Sequence, residues 1–220
     1  MNTLEIKTKG IIKSWEDLYK YAYKQFVSYE KLEGIDNWKK YDFSIDCSED
    51  QMKFKDMLQI RCIEELTEAT HALDNYDHFL EEITDAINFF LSAYCMLGVD
   101  FNKFNFEIQK KHFEINYLNT PECLKNCFEE GKVNYSFKST LYVLFYKILN
   151  DIGNLCNLLK NRPWTQSNYL VSMLDFNERL EELWKTFWGV MVDIGLSDKM
   201  IFELFERKYL VNKWRMKTGY

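Results

Sequence analysis

The sequence predicts an all-α protein, a compact multi-helix bundle built from antiparallel helix pairs, on three observations. Only 8 Gly and 2 Pro occur in 220 residues, under half the usual share of about 12%. A sheet protein of this length needs many tight turns, which those residues supply. Apolar residues make up 47% of the chain, with 17 Phe, 14 Tyr and 6 Trp, enough for a full core and too many for a disordered chain. From Ser14 onward, apolar positions recur with helical period.

The elements follow in order. Ser14 is placed to cap a helix carrying Trp15, Leu18, Ala22 and Phe26. Gly34 to Cys47 lacks a 3.6-residue period and reads as a long loop. Ser48 opens a capping box with Gln51, and one helix is expected from there to about Asn75, with Leu58, Cys62, Leu66, Ala69 and Leu73 on one stripe. Asp77 is expected to cap the next helix, which holds Phe79, Ile83, Ala86, Ile87, Phe90 and Ala93 and ends near Gly98. Asp100 starts another, to about Leu118, broken by Asn119, Thr120 and Pro121. Glu122 to Tyr135 is a variable segment. Further helices are expected over Ser139–Leu159, Leu174–Gly195 and, capped by Ser197, as far as about Arg215. No Gly/Ser linker or composition shift divides the chain, so residues 1–220 are read as one domain.

The two series of helices look like a degenerate repeat. Ile63-Glu64-Glu65-Leu66-Thr67-Glu68 sets over Leu149-Asn150-Asp151-Ile152-Gly153-Asn154, and Met96–Asp100 over Asp193–Ser197. The acidic residues of the first copy become Asp or Asn in the second, and the later acidic pair falls on Arg179 and Glu182.

The formal net charge is −6, which argues against a surface that coats nucleic acid. No apolar run is long enough to span a membrane, and the first residues lack the apolar core of a signal peptide. These features lead to the expectation of a cytoplasmic protein with reduced thiols at its 6 cysteines. Cys123, Cys127 and His112 have a loose zinc-like spacing. A fourth ligand is lacking, and buried thiols are the simpler account. No P-loop and no Ser/His/Asp set is evident.

The strongest constellation is Glu65-x-x-Glu68 followed by Glu82-x-x-Asp85. Residues three apart share a helix face, so two such pairs on neighbouring helices place four carboxylates around one point. Like charges so placed require a cation, and hard oxygen ligands select Mg²⁺ or Mn²⁺. Such a centre suits phosphoryl chemistry, with a carboxylate orienting or deprotonating the attacking water. The plainer alternative is a solvated acidic face, but both pairs lie beside apolar stripes. Near the C-terminus, Lys208, Asn212 and Arg215 stand at i, i+4 and i+7, a line of cationic and amide donors that suits a polyphosphate. A basic helix end complementing the macrodipole would explain Lys and Arg alone. His71 and His78 flank the turn between the acidic helices, where exposed histidines need no function.

These motifs resemble a known family. E-x-x-E followed by E-x-x-D is the metal signature of the all-α nucleoside triphosphate pyrophosphatases. The ending Lys208-x-x-x-Asn212-x-x-Arg215-x-x-x-Gly219-Tyr220 is similar to that of their dimeric dUTPase branch, which includes phage dCTPase-dUTPases. Glu82 to Phe90 is similar to the branch's E-L-x-D-x-x-H-F segment, and Arg162-Pro163-Trp164 within KNRPWTQ to a segment of its relatives. The resemblance spans about Met52–Gly98 and Asn150–Tyr220. It implies a homodimeric, Mg²⁺-dependent diphosphatase that converts dUTP or dCTP to the monophosphate and pyrophosphate. Glu65, Glu68, Glu82 and Asp85 would hold the metal, and Glu65 or Glu68 would serve the water. Lys208, Asn212, Arg215 and Tyr220 would hold phosphates, and Asn88 would also bind substrate. Trp164 could stack on a base, and a core or lid tryptophan after Pro163 accounts for it equally well. Asn88 stands where the branch often has His, Tyr209 where a Lys-Asn pair is common, and a Trp/Lys-rich segment between the acidic pairs is missing. These departures bear on base identity more than on metal chemistry. The alternatives are a superfamily relative acting on another or modified nucleotide, and a helical interaction protein without turnover.

Overall fold

The computed structural model describes residues 6–34, 48–98, 121–129, 133, 135–159 and 173–219. Ser14 has extended backbone, and its hydroxyl accepts the Asp17 amide at 3.1 Å, starting α1 (Trp15–Leu32) where the sequence places it. α1 buries Leu18, Ala22, Gln25 and Phe26 on one side. The Gly34–Cys47 loop lies outside the described residues except for Gly34, and so does the Ser48 side chain that was to close the capping box.

The single helix expected from Ser48 is instead α2 (Ser48–Lys55), a π-helical stretch (Asp56–Cys62) and α3 (Ile63–His71). The spacing explains the interruption. Leu58, Cys62 and Leu66 are four apart, which drifts by about 40° a step on a 3.6-residue helix, and wider π turns take the drift back. All three are buried. The Cys62 thiol donates to the Ala86 carbonyl at 3.6 Å, tying this seam to the next helix.

α4 (Tyr76–Met96) is capped by Asn75 rather than Asp77. Asn75 has extended backbone, and its side-chain oxygen accepts from the amides of Asp77 and His78, both at 3.1 Å. Asp77 sits inside the first turn, where its charge favours the helix dipole. The segment read as variable contains a helix, α5 (Pro121–Glu129). Pro121 starts this helix, since a first-turn proline loses no hydrogen bond. Phe128 of α5 packs on Phe79 with ring centroids 5.4 Å apart. The helix expected from Asp100 lies in residues outside the described set.

α6 (Tyr135–Leu158) and α7 (Met173–Asp193) form the second hairpin. α8 (Asp198–Thr218) is capped by Ser197, whose hydroxyl accepts the Met200 amide at 3.3 Å. It ends at Gly219, whose φ of +68° is the left-handed cap that favours glycine. α3 packs on α4, α6 on α7, and α1 against both α4 and α8. The buried Glu206 carboxylate of α8 accepts the backbone amides of Lys9 and Ile11, which fastens the N-terminal segment.

The described residues are all-α, with no strand, and their buried side chains form one core. Its centre is aromatic: Phe90 of α4 stacks on Phe187 of α7 at 3.7 Å with planes 4° apart. Under the alignment of Met96–Asp100 with Asp193–Ser197, these two residues are equivalents. Among the described residues, no helix is long and apolar enough to cross a membrane.

Candidate metal and phosphate site

The α3–α4 hairpin turns through residues 72–75, so the two helices run antiparallel with Glu65 facing α4. One carboxylate oxygen from each of Glu65, Glu82 and Asp85 lies within 4.8 Å of the others. Of the four carboxylates expected to meet, these three do. Glu68 is exposed, one turn along α3 and outside this cluster. The anchors of the cluster are its neighbours: Leu66, Ile83 and Ala86 are buried beside the acids and orient both helices.

The electrostatics show how the protein holds three acids together. The Glu65 carboxyl is pushed up from 4.5 to about 8, first by burial, then by its hydrogen bond with Glu82, then by the charges of Asp85, Glu82 and Glu68. At neutral pH it keeps a proton. Asp85 is also raised, and burial outweighs the lowering effect of Lys208 and Arg215. Lys208 reaches across from α8 to form an ion pair with Asp85. Its side chain is only 11% exposed, so the pair lies largely out of water. On the outer side, His78 Nε2 lies 2.7 Å from Glu82 Oε1, one helical turn away. His78, expected to need no function, therefore touches the cluster, whereas His71 is exposed at the end of α3.

The stripe on α8 is real as a line of positions but varied in burial. Lys208 and Asn212 are buried and Arg215 is half-buried. Arg215 acts electrostatically on Asp85, so it faces the same end of the molecule. Asn88, one turn after Asp85 on α4, accepts a hydrogen bond from the Gln25 side-chain amide of α1. Gln25 is 2% exposed, and its own side-chain oxygen is buried without a partner among the described residues. The sequence reading did not include Gln25. A polar residue at a core position of α1, three after Ala22, was the available signal. Trp164 and Tyr220, both expected at the site, lie outside the described residues.

The donor set fits a hard divalent cation. Three carboxylates on two facing helices supply only oxygen, and without a cation their repulsion is relieved by a proton on Glu65 and the ammonium of Lys208. A bound cation would take over both roles and leave Lys208 free to turn toward an anion. Comparison with protein-family models, curated proteins and solved structures finds no match to this chain.

Proposed function

We propose that the protein is a divalent-metal-dependent nucleoside triphosphate diphosphatase, with dUTP or dCTP as substrate and the monophosphate and pyrophosphate as products. The observation that carries the reading is the meeting of Glu65, Glu82 and Asp85 on one side with Lys208 on the other. Carboxylates and cations facing one another across a site are what a metal-bridged polyphosphate requires.

Glu65, Glu82 and Asp85 would hold Mg²⁺ or Mn²⁺, which would polarise a phosphoryl oxygen and acidify a bound water. Glu65, facing α4 beside Glu82 and Asp85, would orient the attacking water and accept its proton. Glu68, exposed one turn away, would join through the solvent side. Lys208, Asn212 and Arg215 would grip phosphate oxygens. The Gln25–Asn88 pair offers an acceptor on Gln25 and an amide donor on Asn88, the alternation that a pyrimidine edge presents in reverse. Trp164 and Tyr220 would complete the nucleoside and phosphate contacts, in a homodimer whose mass sedimentation would report.

Pyrophosphate release across the four common dNTPs and their ribonucleotide counterparts, with Mg²⁺, tests the reading. Turnover restricted to dUTP and dCTP is expected. Turnover of a different nucleotide would move the assignment within the same chemistry. Silence on all of them, with the protein folded and metal present, leaves a helical binding protein.

A further inference from the structure

A residue of α1 belongs to a helix that packs against both charged halves of this site. Gln25 touches Asn88. One turn further along α1 is Tyr29, and one turn back along α4 from Asn88 is Asp85. α1 packs on both α4 and α8, so its Tyr29 turn lies where the carboxylate helix and the phosphate stripe converge. The charges that act on the Tyr29 phenol are Arg215 of α8 and Asp85 of α4. They come from the two helices, α8 and α4, that carry the site's cations and carboxylates. The ring is half-buried, and its hydroxyl has no hydrogen-bond partner among the described residues. Burial raises its pKa, which keeps it a neutral phenol and hence a donor.

We propose that Tyr29 is a substrate-binding residue whose phenolic O–H donates to a non-bridging phosphate oxygen of the bound triphosphate, between the metal carboxylates and Arg215. A neutral donor is suited to this place. A further cation beside Lys208 and Arg215 would repel both, and an acid would repel the phosphate. The proposal rests on the phosphate-site reading above and adds to it a contact from a third helix, which couples the position of α1 to substrate binding. Gln25, on the same face of α1, would then sense the base while Tyr29 senses the phosphates.

The test compares wild type with Tyr29→Phe and Tyr29→Met. Phe keeps the ring and removes the hydroxyl; Met removes both. Inorganic pyrophosphate titrated with Mg²⁺ reads binding by calorimetry, and dNTP turnover is measured alongside. Both variants are expected to bind pyrophosphate about tenfold more weakly than wild type, as for one lost hydrogen bond to a charged acceptor. Melting temperature of Tyr29→Phe is expected to match wild type. If wild type turns over a dNTP and Tyr29→Phe binds and reacts like it, Tyr29 has no such role and the function stands. A loss seen with Met and not with Phe also overturns the proposal, because ring packing then accounts for it. If wild type itself neither binds pyrophosphate nor turns over any nucleotide, the function fails and the Tyr29 contact with it.

Discussion

Asp85 is the residue on which the site turns, because it belongs to both of its halves. It meets Glu65 and Glu82 in the acidic cluster and Lys208 of α8 in an ion pair. If the proposed metal site holds, Asp85→Asn is expected to lower turnover by at least ~100-fold, since it removes a charge of the acidic cluster and the partner of Lys208 together. Circular dichroism should show the helices intact; activity within tenfold of wild type at saturating Mg²⁺ would remove Asp85 from the site. Glu65 makes a separate prediction about stability. In the folded, metal-free chain its proton is held to about pH 8, whereas the unfolded chain releases it near 4.5. Between those values the folded state binds the additional proton, so stability must fall as pH rises. Melting in chelator from about pH 5 to about pH 8.5 should show that decline, and Glu65→Gln, which is always neutral, should flatten it. A decline of equal size in the variant would place its origin elsewhere.

At the scale of elements, the sequence signals for α1 and α8 are local and the structure follows them: Ser14 and Ser197 each accept a first-turn amide. The cap of α4 lies two residues before the expected Asp77, since Asn75 can reach two amides while Asp77 is already helical. Asn75→Ala is expected to cost about 1 kcal/mol, read as a shift in urea midpoint with an unchanged slope. Because α4 carries Glu82 and Asp85 two to three turns on, activity should survive that change. α8 delivers the cations. Lys208→Ala and Arg215→Ala are each expected to weaken transition-state binding by about 1.5–3 kcal/mol, measured as kcat/KM. Equal kinetics in wild type and both variants would separate α8 from the chemistry.

For the whole molecule, the stack of Phe90 on Phe187 joins the α3–α4 hairpin to the α6–α7 hairpin, and of the two aligned segments only the first carries the full acidic set. In the second hairpin, Asp151, which the sequence alignment sets opposite Glu65, has a carboxylate that accepts a hydrogen bond from the Thr186 hydroxyl at 2.6 Å. Asp151 thus has a structural partner of its own. Asn at that position keeps an acceptor oxygen, so Asp151→Asn is expected to leave turnover within about twofold. An effect as large as that of Asp85→Asn would mean that both halves act in the reaction. Phe187 is wholly buried at the joint between the hairpins, and Phe187→Ala is expected to destabilise the fold by about 3–5 kcal/mol, as seen in chemical denaturation.

What the sequence determined by itself was local. Scarce Gly and Pro, a steady 3.6-residue period and Ser caps dictate helices, because each of these acts within one or two turns of chain. The same reach made Glu65, Glu82 and Asp85 legible, since spacing alone puts an acidic pair on one face. Helix α5 was missed because Pro121 reads equally as a stop and as a first-turn residue, and the π-helical stretch because a four-residue spacing looks helical in either register. Tertiary structure decided the rest. That Glu68 stays outside while Glu65 turns inward, that Lys208 meets Asp85, and that Gln25 meets Asn88 across 63 positions of chain depend on how helices lie against one another. Burial then sets the chemistry: the same glutamate that is ordinary on an exposed turn holds its proton to about pH 8 beside two other acids in the α3–α4 seam.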